Sequence, residues 1–205
     1  MDPERHTRGG SRVSDDTLLD AARACVLTDG VRRTTLTGIA KAAGVSRMTV
    51  YRRFPDVRSV LAALMTREFS ALLQGVADDA GPGGSARSRL VEHAVTAVQR
   101  LGTDPLLRTV LDLDADLLLP YITERLGATQ RVAEDGLRAF VEQGHADGSI
   151  RAGEPAAQAR ALLLVLQSFV LSRRPAVSDS PRASAVDAAA LLDELAQLLE
   201  GALKP

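Results

Sequence analysis

Residues 47–53 of the chain read Arg-Met-Thr-Val-Tyr-Arg-Arg. They bring together three guanidinium groups, a phenol, a hydroxyl and a thioether, with no carboxylate among them. A guanidinium is a planar fork of N–H donors that pairs in bidentate fashion with guanine O6 and N7 or with a phosphate. Threonine and methionine suit the methyl group of thymine. Tyrosine and further arginines donate to phosphates, which fixes position more than sequence. The surroundings agree. Residues 31–58 carry Arg32, Arg33, Lys41, Arg47, Arg52, Arg53 and Arg58 against one acid, Asp56. The whole chain has a net charge of −1, so the basic character is local. One basic segment in a neutral chain suits local contact with a polyanion. A merely solvated helix face would not need Met48 and Tyr51 beside three arginines.

The elements that must position these side chains are legible. A first helix is expected over 15–28, with Ser14 as its cap, Asp15 and Asp16 at its positive end and Gly30 after its close. Leu18, Ala22, Cys25 and Val26 form its apolar stripe. A short helix follows Thr35 and stops before Gly44, and a third starts after Ser46 and reaches about Phe54. Short helix, glycine turn, short helix is the helix-turn-helix pattern. Gly44 permits the turn and Val45 fills its corner. Val50 and Phe54, four apart, anchor the third helix. With those two inward, Met48, Thr49 and Arg52 point outward, flanked by Arg47 and Arg53. The helix start after Ser46 also favours a phosphate. Pro55 then interrupts, and a fourth helix runs over 57–77.

The rest reads as all-α. Apolar residues recur three and four apart, aromatic residues make up 3%, and there is no tryptophan. Residues 78–86, with three glycines and a proline, break the chain. Helices are expected near 86–101, 105–118, 120–145, 155–173 and 184–203, with a loop over 174–182. The last two carry broad apolar stripes that suit either a core or a four-helix dimer face. Leu162, Leu166, Phe169, Leu191, Leu195 and Leu198 are the candidates for that face.

The stretch TTLTGIAKAAGVSRMTVYRRFPDVRSVLAAL, residues 34–64, resembles the TetR/AcrR family of transcriptional regulators. The likeness covers roughly residues 14–65. It centres on IAKAAGVSRMTVYRRF, with the glycine–valine turn and the tyrosine before RRF. Residues 147–163 look like the segment that leads into that family's dimerising helices. The resemblance implies an all-α homodimer: a flexible tail over 1–13, a helix-turn-helix DNA-binding domain over 14–60, and a helical regulatory and dimerisation domain over 61–205. It implies a repressor released from a palindromic double-stranded operator by a small-molecule effector. Base contacts would come from Arg47, Met48, Thr49 and Thr37, and phosphate contacts from Thr35, Tyr51, Arg52 and Arg53. Ser46, at the start of the reading helix, is a further candidate DNA contact, and Arg58 could stand in for a lysine the family often has where this chain has Val57. Gly38 replaces a common acid, so the second helix is expected to fray. Arg8 and Arg12 are read as part of the tail, with a minor-groove arm as the alternative.

Other constellations are weaker. His93, on an apolar helix, and Gln167, inside an apolar run, are the candidate ligand-pocket residues, with a surface histidine and an interface amide as the plainer readings. Asp112, Asp114 and Asp116 begin like a calcium loop, but Leu117 and Thr123 stand where glycine and glutamate are needed. The single cysteine, Cys25, excludes an internal disulfide and reads as a small core residue. The three histidines lack metal-ligand spacing, so neither a metal nor a cofactor is expected. No nucleophile–base pair or phosphate loop is present, which argues against an enzyme. No apolar run reaches the roughly 18–20 residues of a membrane span. A cytoplasmic location is expected. The alternatives are a ligand-independent regulator or activator, or an interaction protein of the same fold that does not bind an operator.

Overall fold

A computed structural model describes residues 14–79, 81, 83–113, 126–178 and 187–205. Arg8, Arg12, Asp114 and Asp116 lie outside the described residues, as do the expected helical spans over 114–125 and 184–186. The described elements are α1 (Asp15–Asp29), α2 (Leu36–Ala42), α3 (Arg47–Tyr51), α4 (Val57–Asp79), α5 (Ala86–Thr103), α6 (Pro105–Leu113), α7 (Ala128–Ala146), α8 (Pro155–Ser178) and α9 (Ala188–Leu203). No strand occurs among the described residues, so the fold is all-α. The chain divides into two compact units, Met1–Leu64 and Met65–Pro205. The division falls within α4.

In the first unit, Ser14 caps α1, its hydroxyl accepting from the Thr17 N–H at 3.2 Å. Leu18, Ala22, Val26, Ile39, Val50, Val60 and Leu64 are fully buried. The α2–α3 turn is fixed by its hydrogen bonds. The Val45 N–H donates to the Ala40 carbonyl at 3.0 Å and the Gly44 N–H to that of Lys41 at 3.2 Å. This is the Schellman arrangement, which needs a left-handed residue after the helix. Gly44 supplies it with φ of 66°. Despite Gly38, α2 is capped: the Thr35 hydroxyl accepts from the Gly38 N–H at 3.0 Å.

Three helices differ from expectation at their ends. α3 closes at Tyr51, and the chain continues as a turn in which the Phe54 N–H donates to the Val50 carbonyl at 2.9 Å. Pro55 disfavours helical geometry at the residue before it. α7 starts at Ala128 rather than near 120. Gly127 is extended, and its N–H donates to Gln130 Oε1 at 2.7 Å, so a side chain from the first turn closes the helix start. α8 runs on to Ser178, past its expected end at 173.

The second unit is built on a core from α5, α7, α8 and α9, including Leu90, Val98, Val141, Leu162, Leu166, Leu195 and Leu199. Burying one leucine contributes about 1.5–3 kcal/mol. The loop after α7 ties these helices together by capping. Asp147 Oδ2 accepts from the Ala86 N–H at 2.8 Å and Ser149 Oγ from the Arg87 N–H at 3.2 Å, closing the start of α5. At the end of α9, the Arg151 N–H donates to the Leu203 carbonyl and Arg151 Nε to that of Ala202, both at 2.8 Å. Gln158 is buried yet satisfied: its Oε1 lies 2.8 Å from His145 Nε2, and its Nε2 donates to the Arg151 carbonyl at 3.1 Å.

By length and composition alone, α4 and residues Pro155–Arg173 of α8 could cross a membrane, with mean hydropathies of 1.2 and 1.3. Alanine-rich helices reach that average without an unbroken apolar stretch, and the core helix of a soluble protein meets the same measure. Residues Ala159, Leu162, Leu163 and Leu166 of α8 are buried in the chain itself.

Leu195→Ala removes a fully buried side chain and should cost about 2–5 kcal/mol in chemical denaturation. Asp147 gives a second expectation. Hydrogen bonds, first from the Ala86 N–H and then from Ser149, hold its carboxyl below the ordinary 3.8. A depressed carboxyl pKa contributes stability above the unfolded value, which is lost as pH falls through the folded value. Asp147→Asn should therefore melt lower than the parent at neutral pH, and thermal scans should show the gap closing in acid below 3.8.

Candidate nucleic-acid interface

α3 is a short helix whose orientation is fixed at both ends. Ser46 caps it, accepting from the Thr49 N–H at 3.2 Å, and the Ser46 and Thr49 hydroxyls lie 2.9 Å apart. Fully buried Val50 holds it to the unit's core, with Phe54 half-buried beyond it. The opposite face is open. Met48 is 67% exposed and Tyr51 49%, and Arg47, Arg52 and Arg58 are exposed as well. Thr37 and Thr49 are half-buried beside them, and Thr35 is exposed while capping α2. A large thioether and a phenol left in water beside guanidinium groups form a surface with donors, apolar contact area and positive charge together.

Neighbouring charges are assigned by geometry. Asp56, the acid within the basic segment, caps α4: its Oδ1 accepts from the Ser59 N–H at 2.7 Å. Arg33 Nε donates to the Asp29 carbonyl at 2.7 Å, so this base closes α1. Arg53 forms an ion pair with Asp15, in the first turn of α1. Sequence spacing could not reveal that pair, because it joins residues on different helices.

The candidate regulatory residues are separated. The Nε2 atom of His93 is buried with no hydrogen-bond partner among the described residues, and its ring stands edge-on to Phe140 with centroids 4.9 Å apart. Burial is the main cause lowering its pKa below 6.5. The residue as a whole is half-buried. Gln167 Oε1 accepts from Gln130 Nε2 at 2.7 Å. Gln130 and Phe140 lie ten residues apart on α7, about 15 Å along its axis. His93 and Gln167 therefore sit at different levels of the helix bundle. Neither lines the open cleft of about 370 Å³ along α6, whose described walls are Pro105, Arg108, Thr109 and Asp112. Gln130 was missed from sequence because its partner lies on another helix.

The expected dimer face needs correction. Leu162, Leu166 and Leu195 are buried in the chain's own core, and Phe169 and Leu191 are half-buried. Of the six, Leu198 is exposed, at 58%. The apolar stripes are wider than one face, and their inner rows are taken up by intramolecular packing. The outer row of α8 holds Ala157, Ala161, Leu164, Val165 and Ser168, all exposed. Cys25 is half-buried, and burial, followed by Asp29, raises its pKa. That is the opposite of an activated thiol.

A capped short helix held by a glycine turn, with an open basic face, defines a helix-turn-helix regulator. Residues 18–64 match the family of bacterial regulatory proteins, tetR family. The uncharacterized HTH-type transcriptional regulator Mb2274c of Mycobacterium bovis is 41% identical over 186 residues, covering 91% of this chain and 92% of that protein. The chain belongs to the TetR family of transcriptional regulators. The regulator FadR from Bacillus subtilis, solved with stearoyl-CoA, has the same fold at a TM-score of 0.63 and 18% identity, covering 93% of this chain and 100% of that one. The repressor QsdR of R. erythropolis gives 0.66 at 15% identity, covering 93% and 96%.

Arg52→Ala should weaken binding to every duplex and reduce the slope of log K against log salt by about 0.9. Arg47→Ala should instead change preference at particular bases. Anisotropy titrations against a panel of duplexes separate the two effects.

Proposed function

We propose that the chain is a homodimeric repressor that binds a palindromic operator and is released by a small-molecule effector. The observation that carries the reading is the outward face of α3, held by buried Val50 and the Ser46 cap. Arg47, Met48 and Thr49 read base edges in the major groove, with Thr37 beside them, and Thr35, Tyr51, Arg52, Arg53 and Arg58 hold phosphates. Two such heads related by a two-fold axis read half-sites about 34–36 Å apart. Such a regulator works in the cytoplasm, where its DNA is.

The exposed rows of α8 and α9 support the dimer. Leu164 is 56%, Val165 40% and Leu198 58% exposed, between small residues such as Ala161 and Gly201. Two copies of this helix pair would close a four-helix bundle and remove those side chains from water. The effector reading is supported by the Nε2 of His93, which has no hydrogen-bond partner among the described residues, and by the Gln130–Gln167 amide pair joining α7 to the apolar helix α8. The FadR structure with stearoyl-CoA supports the same general mode. An effector acts only through unequal affinity for the DNA-bound and released forms.

A gel-shift titration against the DNA flanking the coding region, at two salt concentrations with an unrelated duplex as control, tests the central claim. Tight, selective binding is expected. Weak binding to both duplexes that vanishes with salt would leave only a basic surface. Leu164→Glu should turn a dimer into a monomer in sedimentation and weaken operator binding with it, while the circular dichroism spectrum stays that of the parent.

A further inference from the structure

Arg53 sits on the turn that follows α3, its N–H donating to the Val50 carbonyl at 2.9 Å. The backbone of this arginine is therefore held to the reading helix. Its guanidinium, however, is engaged by the Asp15 carboxylate of α1. We propose that Asp15 occupies, in the DNA-free chain, the place a DNA phosphate takes on Arg53, so that α1 competes with the duplex for one guanidinium of the basic face. The inference rests on the reading of α3 as a DNA-facing element.

Three observations make the exchange feasible. The two side chains are 37% and 59% exposed, so water reaches both and the pair is weak enough to trade. A buried pair would resist separation, because the abandoned charge would stay desolvated. Asp15 also lies in the first turn of α1, where the positive end of the helix stabilises the carboxylate after the guanidinium leaves. Finally, Asp56, the acid nearest in sequence, caps α4 through the Ser59 N–H, whereas Asp15 reaches Arg53 from a separate helix.

The exchange leaves a mark in the salt dependence. A guanidinium that gains a phosphate releases counterions from the DNA. A carboxylate that loses its guanidinium takes a cation back, which cancels part of that release. Asp15→Asn abolishes the competitor without touching the arginine. It should raise affinity several-fold at low salt and steepen the slope of log K against log salt by up to about 0.9.

The test is a double-mutant cycle of the parent, Asp15→Asn, Arg53→Ala and the double variant. Each is titrated by anisotropy with a duplex of arbitrary sequence over a salt series, and thermal melts verify folding. Asp15→Glu keeps the charge and should stay near the parent. The expected result is tighter, more salt-sensitive binding by Asp15→Asn that is absent in the Arg53→Ala background. Equal gains in both backgrounds would reduce Asp15 to a general repulsive charge and overturn the exchange. So would no gain at all, while binding by the parent would leave the DNA-facing reading of α3 standing. A parent that fails to bind the duplex even at low salt would overturn both.

Discussion

The direction in which α3 presents its side chains depends on the turn at Gly44. Two backbone hydrogen bonds close α2 there, and both require the following residue to sit in the left-handed region. A side chain at that φ is strained, so glycine is the residue that lets the chain leave α2 at this angle. Val50 then reaches the core and is fully buried. Once Val50 is inside, Met48 and Tyr51 have nowhere to go but water. The open basic face is a consequence of one turn and one buried valine, more than of any preference of the arginines.

The second unit is held by a different device. Its helices share an apolar core, and distant residues close some of their ends in addition to local caps such as Ser85 on α5 and Asp187 on α9. Asp147 and Ser149 cap α5, and Arg151 caps α9. Gln158 joins His145 to the Arg151 carbonyl beneath them. Helix ends expose unsatisfied N–H and C=O groups, and one short loop here satisfies several at once. The polar groups left inside the helices stand out against this. His93 Nε2 lacks a partner, whereas Gln167 finds one in Gln130. A buried nitrogen with no hydrogen-bond partner among the described residues calls for an explanation.

The charges of the first unit follow the same logic of competition. Seven bases face one acid over residues 31–58. The structure redistributes them: Arg33 is taken by the end of α1, Asp56 by the start of α4, and Arg53 by Asp15. Counting charges along the chain therefore overstates the base available to a polyanion. Of the five other bases, all exposed, Arg47 and Arg52 lie on or beside α3 with exposed Met48 and Tyr51.

The sequence by itself determined the all-α class, the helix-turn-helix and the Ser14 cap, because each depends on residues within a few positions of one another. It also identified the outward face of α3, since helical periodicity and one buried anchor settle which side faces water. Helix ends governed by longer-range effects were less legible: α7 starts late because Gln130 turns back onto Gly127. The interface leucines could not be sorted from the core, because Leu162, Leu166 and Leu195 differ from Leu164 and Leu198 only in what packs beside them. The Asp15–Arg53 and Gln130–Gln167 pairs were equally invisible. Contacts between helices depend on how those helices pack, and only the tertiary structure decides that.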